Sequence, residues 1–175
     1  MEAYYSTHPD GPIQPNRLEF IQRHPIKNDV PAYSMFEMQG AGANHPILIF
    51  VDEHPKSDSK VDWQSFVEFK EDRLKVFLES PGAAPVHVRV IMHRKHAYDK
   101  DVPEINTKDS FEIVQPGAPY SGSVFVPQGS PCAKLLGGKL SWNTELAVII
   151  ELSWRKQGSF HWIEVTSIVS WGWKG

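Results

Sequence analysis

Over the last thirty residues, apolar and polar positions alternate almost without a break. Leu146, Val148, Ile150, Leu152 and Trp154 take every second place, interleaved with Ala147, Ile149, Glu151 and Ser153. After Arg155-Lys156-Gln157-Gly158-Ser159, a second run sets His161, Ile163, Val165, Ser167, Val169 and Trp171 on one side. A period of two on both flanks of a short Gly-containing turn predicts a long β-hairpin. With no helix after it in the sequence, a second sheet is its expected cover.

Upstream the pattern is shorter and more broken. Residues 33–38 read as strand, and Ile47-Leu48-Ile49-Phe50-Val51 is a continuous apolar run that suits a strand buried on both faces. Residues 61–69 fit a strand, or a helical turn followed by a strand. Residues 74–78 and 86–92 read as strands separated by Ser80-Pro81-Gly82. In the second of these, Val86, Val88, Val90 and Met92 are expected to face the core, and His87, Arg89, Ile91 and His93 the other side. Residues 96–109 read as loop, and strands follow at 111–114, 123–126 and 139–142. Spacings of roughly 8–12 residues between strands indicate an all-β fold. The expectation is a two-sheet β-sandwich of jelly-roll type over residues 31–175. Residues 1–30, rich in proline, are expected as an extended arm, with a short turn or strand at 18–21.

Composition narrows the class. The chain has 175 residues, 14 prolines and 12 glycines, more punctuation than a helical protein tolerates. The single Cys132 excludes an internal disulfide framework. A net charge of -3 removes the bulk electrostatic argument for nucleic-acid binding. The N-terminus lacks the pattern of a secretory signal, and no apolar stretch reaches 18 residues, so an intracellular, soluble protein is expected.

Candidate chemistry is sparse. Arg89, His93, Arg94, Lys95 and His96 form a basic cluster suited to phosphate, from RNA or from anionic lipid. His93, His96, Asp99 and Asp101 have metal-ligand residue types, but His87 and His93 lie about 20 Å apart along a strand, too far to share one ion. Asp52-Glu53-His54 follows a buried strand and fits a turn better than an acid–base pair. No Gly-x-Ser-x-Gly elbow occurs, and Cys132 is expected as a plain thiol in a loop. The reading assigns no catalytic residue, no metal site and no cofactor. Five of the six tryptophans crowd the last third, and Trp171 and Trp173, with Tyr4 and Tyr5 of the arm, are the expected oligomer contacts.

Three resemblances follow from particular segments. The hairpin residues 147–152 and 156–168, with Tyr120-Ser-Gly-Ser-Val-Phe-Val-Pro127, resemble the end of rhabdovirus matrix proteins. That resemblance implies a non-enzymatic, self-associating viral structural protein, in the virion or host cytoplasm, whose partners are copies of itself, a viral nucleoprotein, RNA or an anionic membrane. Residues 47–52 resemble a strand of the jelly-roll movement proteins of plant viruses, which implies a movement or coat role instead. Residues 122–132 resemble the second motif of the cupin family, with Cys132 where a metal-binding His would stand. A cupin-like or carbohydrate-binding protein is the further alternative.

Overall fold

The structure, a computed structural model, describes residues 6, 14–25, 32–40, 44–54, 57–97 and 101–174. It is mostly β and contains two sheets, in agreement with the all-β expectation. By its internal contacts the chain divides between Glu71 and Asp72 into two compact units.

The first unit holds an antiparallel sheet whose strands lie in chain order: β1 (Pro15–His24), β2 (Tyr33–Gly40), β3 (Ile47–Asp52) and β4 (Lys60–Val61). In β3 the neighbours Ile47 and Leu48 point to opposite faces and both are buried, as the unbroken apolar run predicts. Residues 61–69, expected as strand or as one helical turn followed by strand, instead enter helix α1 (Trp63–Lys70) directly after β4. Asp62 caps it by accepting the Ser65 N–H at 3.2 Å. Phe66 and Phe69, three apart, share a buried helical face that a strand would split, and Phe69 stacks on Phe50 of β3 at 6.2 Å.

The second unit begins with helix α2 (Arg73–Leu78), where a strand was expected. Leu74, Phe77 and Leu78 recur at helical spacing and pack on the core, while Val76 stays 57% exposed. Five strands follow: β5 (Val86–Arg94), β6 (Lys108–Val114), β7 (Ser121–Pro127), β8 (Glu145–Gln157) and β9 (Phe160–Trp171). They close into a barrel in the order β5-β6-β7-β9-β8, with β8 returning to pair with β5. Where a jelly roll shares eight strands between two sheets, this sheet closes on itself with five. Every pairing is antiparallel except β7 with β9.

Helix α3 (Pro131–Gly137) joins β7 to β8. Ser130 caps it through the Ala133 N–H, and Pro131 fills the first helical position, where no amide is needed. Cys132, expected in a loop, therefore lies in a helical turn. Residues 139–142, expected as strand, are turn and coil; Leu140 folds back through its N–H to the Leu136 carbonyl at 2.7 Å and is buried.

The hairpin is present with its turn at Gly158-Ser159, where Gly158 has φ of +62°. Its alternation, however, does not run unbroken. The β8–β9 register slips by one residue on β9 at Thr166 and again at Val169. Ile163 and Val165 face the core, and the two bulges then bring Ile168 and Trp171 to that side, leaving Val169 exposed. Ser167 and Val169 thus leave the face on which strict alternation placed them.

β1 occupies part of the segment expected as an arm. Pro15 and Pro25 bracket a strand rather than preventing one, since an edge strand tolerates a missing amide at its start. Opposite Pro15, Gly40 (φ +100°) has no room for a side chain: a Cβ there would sit 2.9 Å from the Asn16 nitrogen. Two ring pairs on neighbouring strands hold β1 to β2, Phe20 edge-on to Phe36 and His24 stacked on Tyr33 at 4.5 Å. A fork adds to them: Arg23 Nε and Nη2 donate to the Glu53 carboxylate at 2.9 and 2.6 Å, and Ser34 donates to it at 2.8 Å.

These donors, Arg23 first and Ser34 second, lower the Glu53 carboxyl to about 2. A depressed carboxylate stabilises the fold above its ordinary range, and that contribution is lost as pH falls toward the depressed value. Amide protection of β1, corrected for intrinsic exchange, is therefore expected to hold from pH 7 to about 5 and to fall between there and pH 2. In Glu53→Gln it should be lower throughout and flat across that window, as read by hydrogen exchange with mass spectrometry.

Candidate nucleic-acid interface

Strand alternation sorts the barrel's side chains. Because Phe111, Ile113, Val124, Val126, Ile163 and Val165 point inward, their neighbours Lys108 and Ser110 on β6, Phe125 on β7, and Trp162 and Glu164 on β9 share the outer face. Ser110 pairs with Phe125, and Phe125 with Glu164, so the three strands meet there in one row, which is itself covered: Ser110 and Phe125 are buried. Beyond the barrel the hairpin continues as a two-stranded arm, with Arg155 opposite Trp162 and Gln157 opposite Phe160. Phe160 and Trp162 therefore lie on the same side as Arg155.

Glu164 organises this face. One carboxylate oxygen accepts from Arg155 Nε at 2.7 Å and the other from Trp162 Nε1 at 2.9 Å, which fixes both side chains. Lys108 Nζ lies 5.4 Å from the Trp162 ring centroid and donates to the Pro103 carbonyl at 2.6 Å. The Glu164 side chain is 12% exposed and that of Arg155 45%, so the acid is sheltered and the guanidinium reaches water. Phe160 is 44% exposed at the tip, next to exposed Lys156 and His161. The arrangement offers rings for stacking and cations for phosphate.

A pocket of about 210 Å³ opens beside this face, lined by Pro127, Ser130, Pro131, Arg155, Glu164 and Thr166, with Cys132 and Val165. It sits where β7 and β9, parallel to each other, share a single registered pair. Cys132 is buried, its thiol donates to the Thr166 carbonyl at 3.4 Å, and burial pushes its pKa up.

The residues expected as an anion patch are dispersed among protein partners. Arg89 is 8% exposed and its Nε donates to the Trp173 carbonyl at 3.2 Å. The His93 ring meets Glu112 at 3.1 Å, and Arg94 donates to the Leu140 carbonyl while pairing with Asp109 at 3.6 Å. Lys95 donates to Ser123, and His96 stacks on Trp142 at 4.5 Å. Of the expected oligomer contacts, Trp171 packs on the barrel core beneath Lys139, and Trp173 folds back so that its indole N–H donates to the Val90 carbonyl at 3.1 Å. Tyr4 and Tyr5, like Asp99 among the metal-ligand types, lie outside the described residues.

Sequence reasoning passed over Arg155, Trp162, Phe160 and Lys108. A signal was present: the hairpin turn is bracketed by Trp154-Arg155-Lys156 and Phe160-His161-Trp162, which set rings next to bases on both strands. The charge is also unevenly distributed, with twelve basic and ten acidic residues from Asp72 onward against six and eleven before it. No protein-family model, no curated protein and no solved structure matches the chain.

A thiol whose pKa is raised by burial against the barrel core reacts slowly. Cys132 in the folded protein is expected to react with a maleimide at pH 7 at least about tenfold more slowly than in the urea-unfolded chain. Equal rates, measured by intact mass, would contradict the burial described above.

Proposed function

We propose that this chain is a non-enzymatic binding protein that holds single-stranded nucleic acid along the hairpin arm of β8 and β9, beside the β7–β9 seam. One observation carries the reading: Phe160 and Trp162 share a face of the hairpin arm with Arg155, and Lys108 sits over the indole. Every base has a π-face to stack on such rings, and every phosphate a charge for the cations beside them. Sugar rings also stack on tryptophan, but an uncharged glycan would make no use of the half-exposed Arg155 guanidinium or of Lys108 over the indole.

The strand order supports the same reading. A three-strand meander, a helix, and a hairpin whose last strand returns beside the third is the topology of oligonucleotide/oligosaccharide-binding barrels. Those barrels bind through the face of their second and third strands and the loops around it. Here the corresponding parts are β6, β7, the segment between β5 and β6, and the hairpin arm. Such likeness adds weight only because the site itself has the chemistry.

Self-association, which the matrix resemblance implies, is a second reading with its own observation. β1 is an edge strand of ten residues, nine of them exposed, with Leu18, Phe20 and Ile21 among them. Exposed edges of this kind recruit further strands, and the strand of a second copy is the simplest recruit. Assembly and strand binding are compatible in one protein.

Two measurements test these readings. Titrated with fluorescein-labelled oligo-dT, the protein should bind at 50 mM salt with an affinity that falls steeply by 200 mM, and Trp162→Ala should cost about 1–3 kcal/mol, roughly 5- to 150-fold. Absence of binding at low salt would remove the first reading. In sedimentation velocity, the wild-type chain should show concentration-dependent association that Phe20→Lys abolishes without loss of folded signal. A wild type that stays monomeric at every concentration would remove the second.

A further inference from the structure

The pocket at the β7–β9 seam has a chemistry more specific than stacking. β7 and β9 share the single registered pair Phe125–Glu164, and the first turn of α3 lines the pocket beside it. Pro127, Pro131 and Val165 give it flat apolar surfaces, while Glu164, Arg155 and Ser130 bring polar groups to it. At about 210 Å³ it is smaller than sites for drug-sized molecules, and suits one ring rather than a chain of them.

Its polar pair is ordered as well as close. Each Glu164 oxygen takes one protein donor, so each keeps a lone pair for another. The Arg155 Nε is fixed on that carboxylate, which places the Nη donors next to an acceptor-only group. An acceptor set beside a donor fork complements an edge that shows an amino group next to a ring acceptor. Cytosine presents that edge, with its N4 amino group beside N3. Thymine and uracil present a carbonyl O4 in place of the amino group, which would face the carboxylate acceptor to acceptor.

Resting on the strand-binding reading, we infer that the seam pocket receives one base of the bound strand and selects cytosine over thymine or uracil. Glu164 accepts from the N4 amino group, Arg155 donates to N3, and the proline faces sandwich the ring. Trp162 and Phe160 on the arm then supply stacking that is indifferent to sequence.

The test compares labelled oligo-dC and oligo-dT of equal length by fluorescence anisotropy with the full chain. Oligo-dC is expected to bind roughly tenfold more tightly. Glu164→Gln should collapse that ratio toward one, whereas Trp162→Ala should weaken both oligonucleotides and preserve it. Should Glu164→Gln lose its fold, Arg155→Lys, which keeps the charge but loses the fork, is expected to reduce the ratio. Equal affinity for the two oligonucleotides in the wild type overturns the pocket assignment and leaves the strand-binding reading standing. Binding of neither overturns both.

Discussion

The barrel depends on one strand pair that does two jobs. β8 is thirteen residues long and pairs with β5 on one edge and β9 on the other, so it closes the sheet and also extends beyond it. A straight hairpin could not do both. The bulges at Thr166 and Val169 add twist where β9 must follow the closed barrel, and the stretch from Ser153 to Glu164 leaves it in unbroken register as an arm. Thr166 is held in place by bonds of its own: its hydroxyl donates to the Glu151 carboxylate, and its carbonyl accepts from Cys132. Glu151 also meets His87 of β5 at 3.1 Å, which links the bulge to the strand pair across β8. Deform the bulge, and both the closure and the placement of Trp162 change together.

Closure then decides where chemistry is exposed. Antiparallel pairs in this barrel are registered over several residues, but the parallel β7–β9 pair over one. The barrel is therefore least tightly zipped at that seam, and the polar groups of Glu164 and Arg155 gather there rather than along β5. The basic residues of β5 illustrate the opposite case. A strand paired along both edges sends Arg89 and His93 to an outer face where Trp173 and Glu112 already occupy them. Net charge misleads for the same reason: ionic groups buried against internal partners add to the sum but do little for a ligand, whereas Arg155, although paired with Glu164, still reaches water on the side that carries Trp162 and Phe160.

The all-β class and the closing hairpin were legible because a period of two needs no tertiary information. The inward set Val88, Val90 and Met92 was legible in the same way, and all three are fully buried. Residues 74–78 were misread because Leu-Lys-Val-Phe-Leu satisfies either period over so short a run, and only packing against Trp154 selects the helix. Bulges were invisible for a related reason: Thr166 and Val169 are good strand residues, and nothing local marks them as extra. The distribution of β1 and its bracket of prolines shows a further limit. Pro15 and Pro25 signal interruption, yet both stand at the ends of an edge strand, where interruption costs nothing.

The site was harder to read than the fold, because composition located tryptophans without saying which way they face. Trp171 and Trp173 stand at the end of the sequence and Trp162 in the middle of a strand, which makes the first two look available and the third look like core. Register reverses this. Trp162 is one residue out of phase with Ile163 and Val165, so burial of those two forces its indole outward, onto Glu164 and beneath Lys108. Trp171 lies two bulges later and is carried back inside, and Trp173 spends its N–H on the Val90 carbonyl. An indole fixed by a carboxylate and partly exposed is preorganised for stacking, since little rotamer freedom is left to lose on binding. That preorganisation, rather than the number of aromatic residues, is what distinguishes the arm from the rest of the barrel as a place for a ligand.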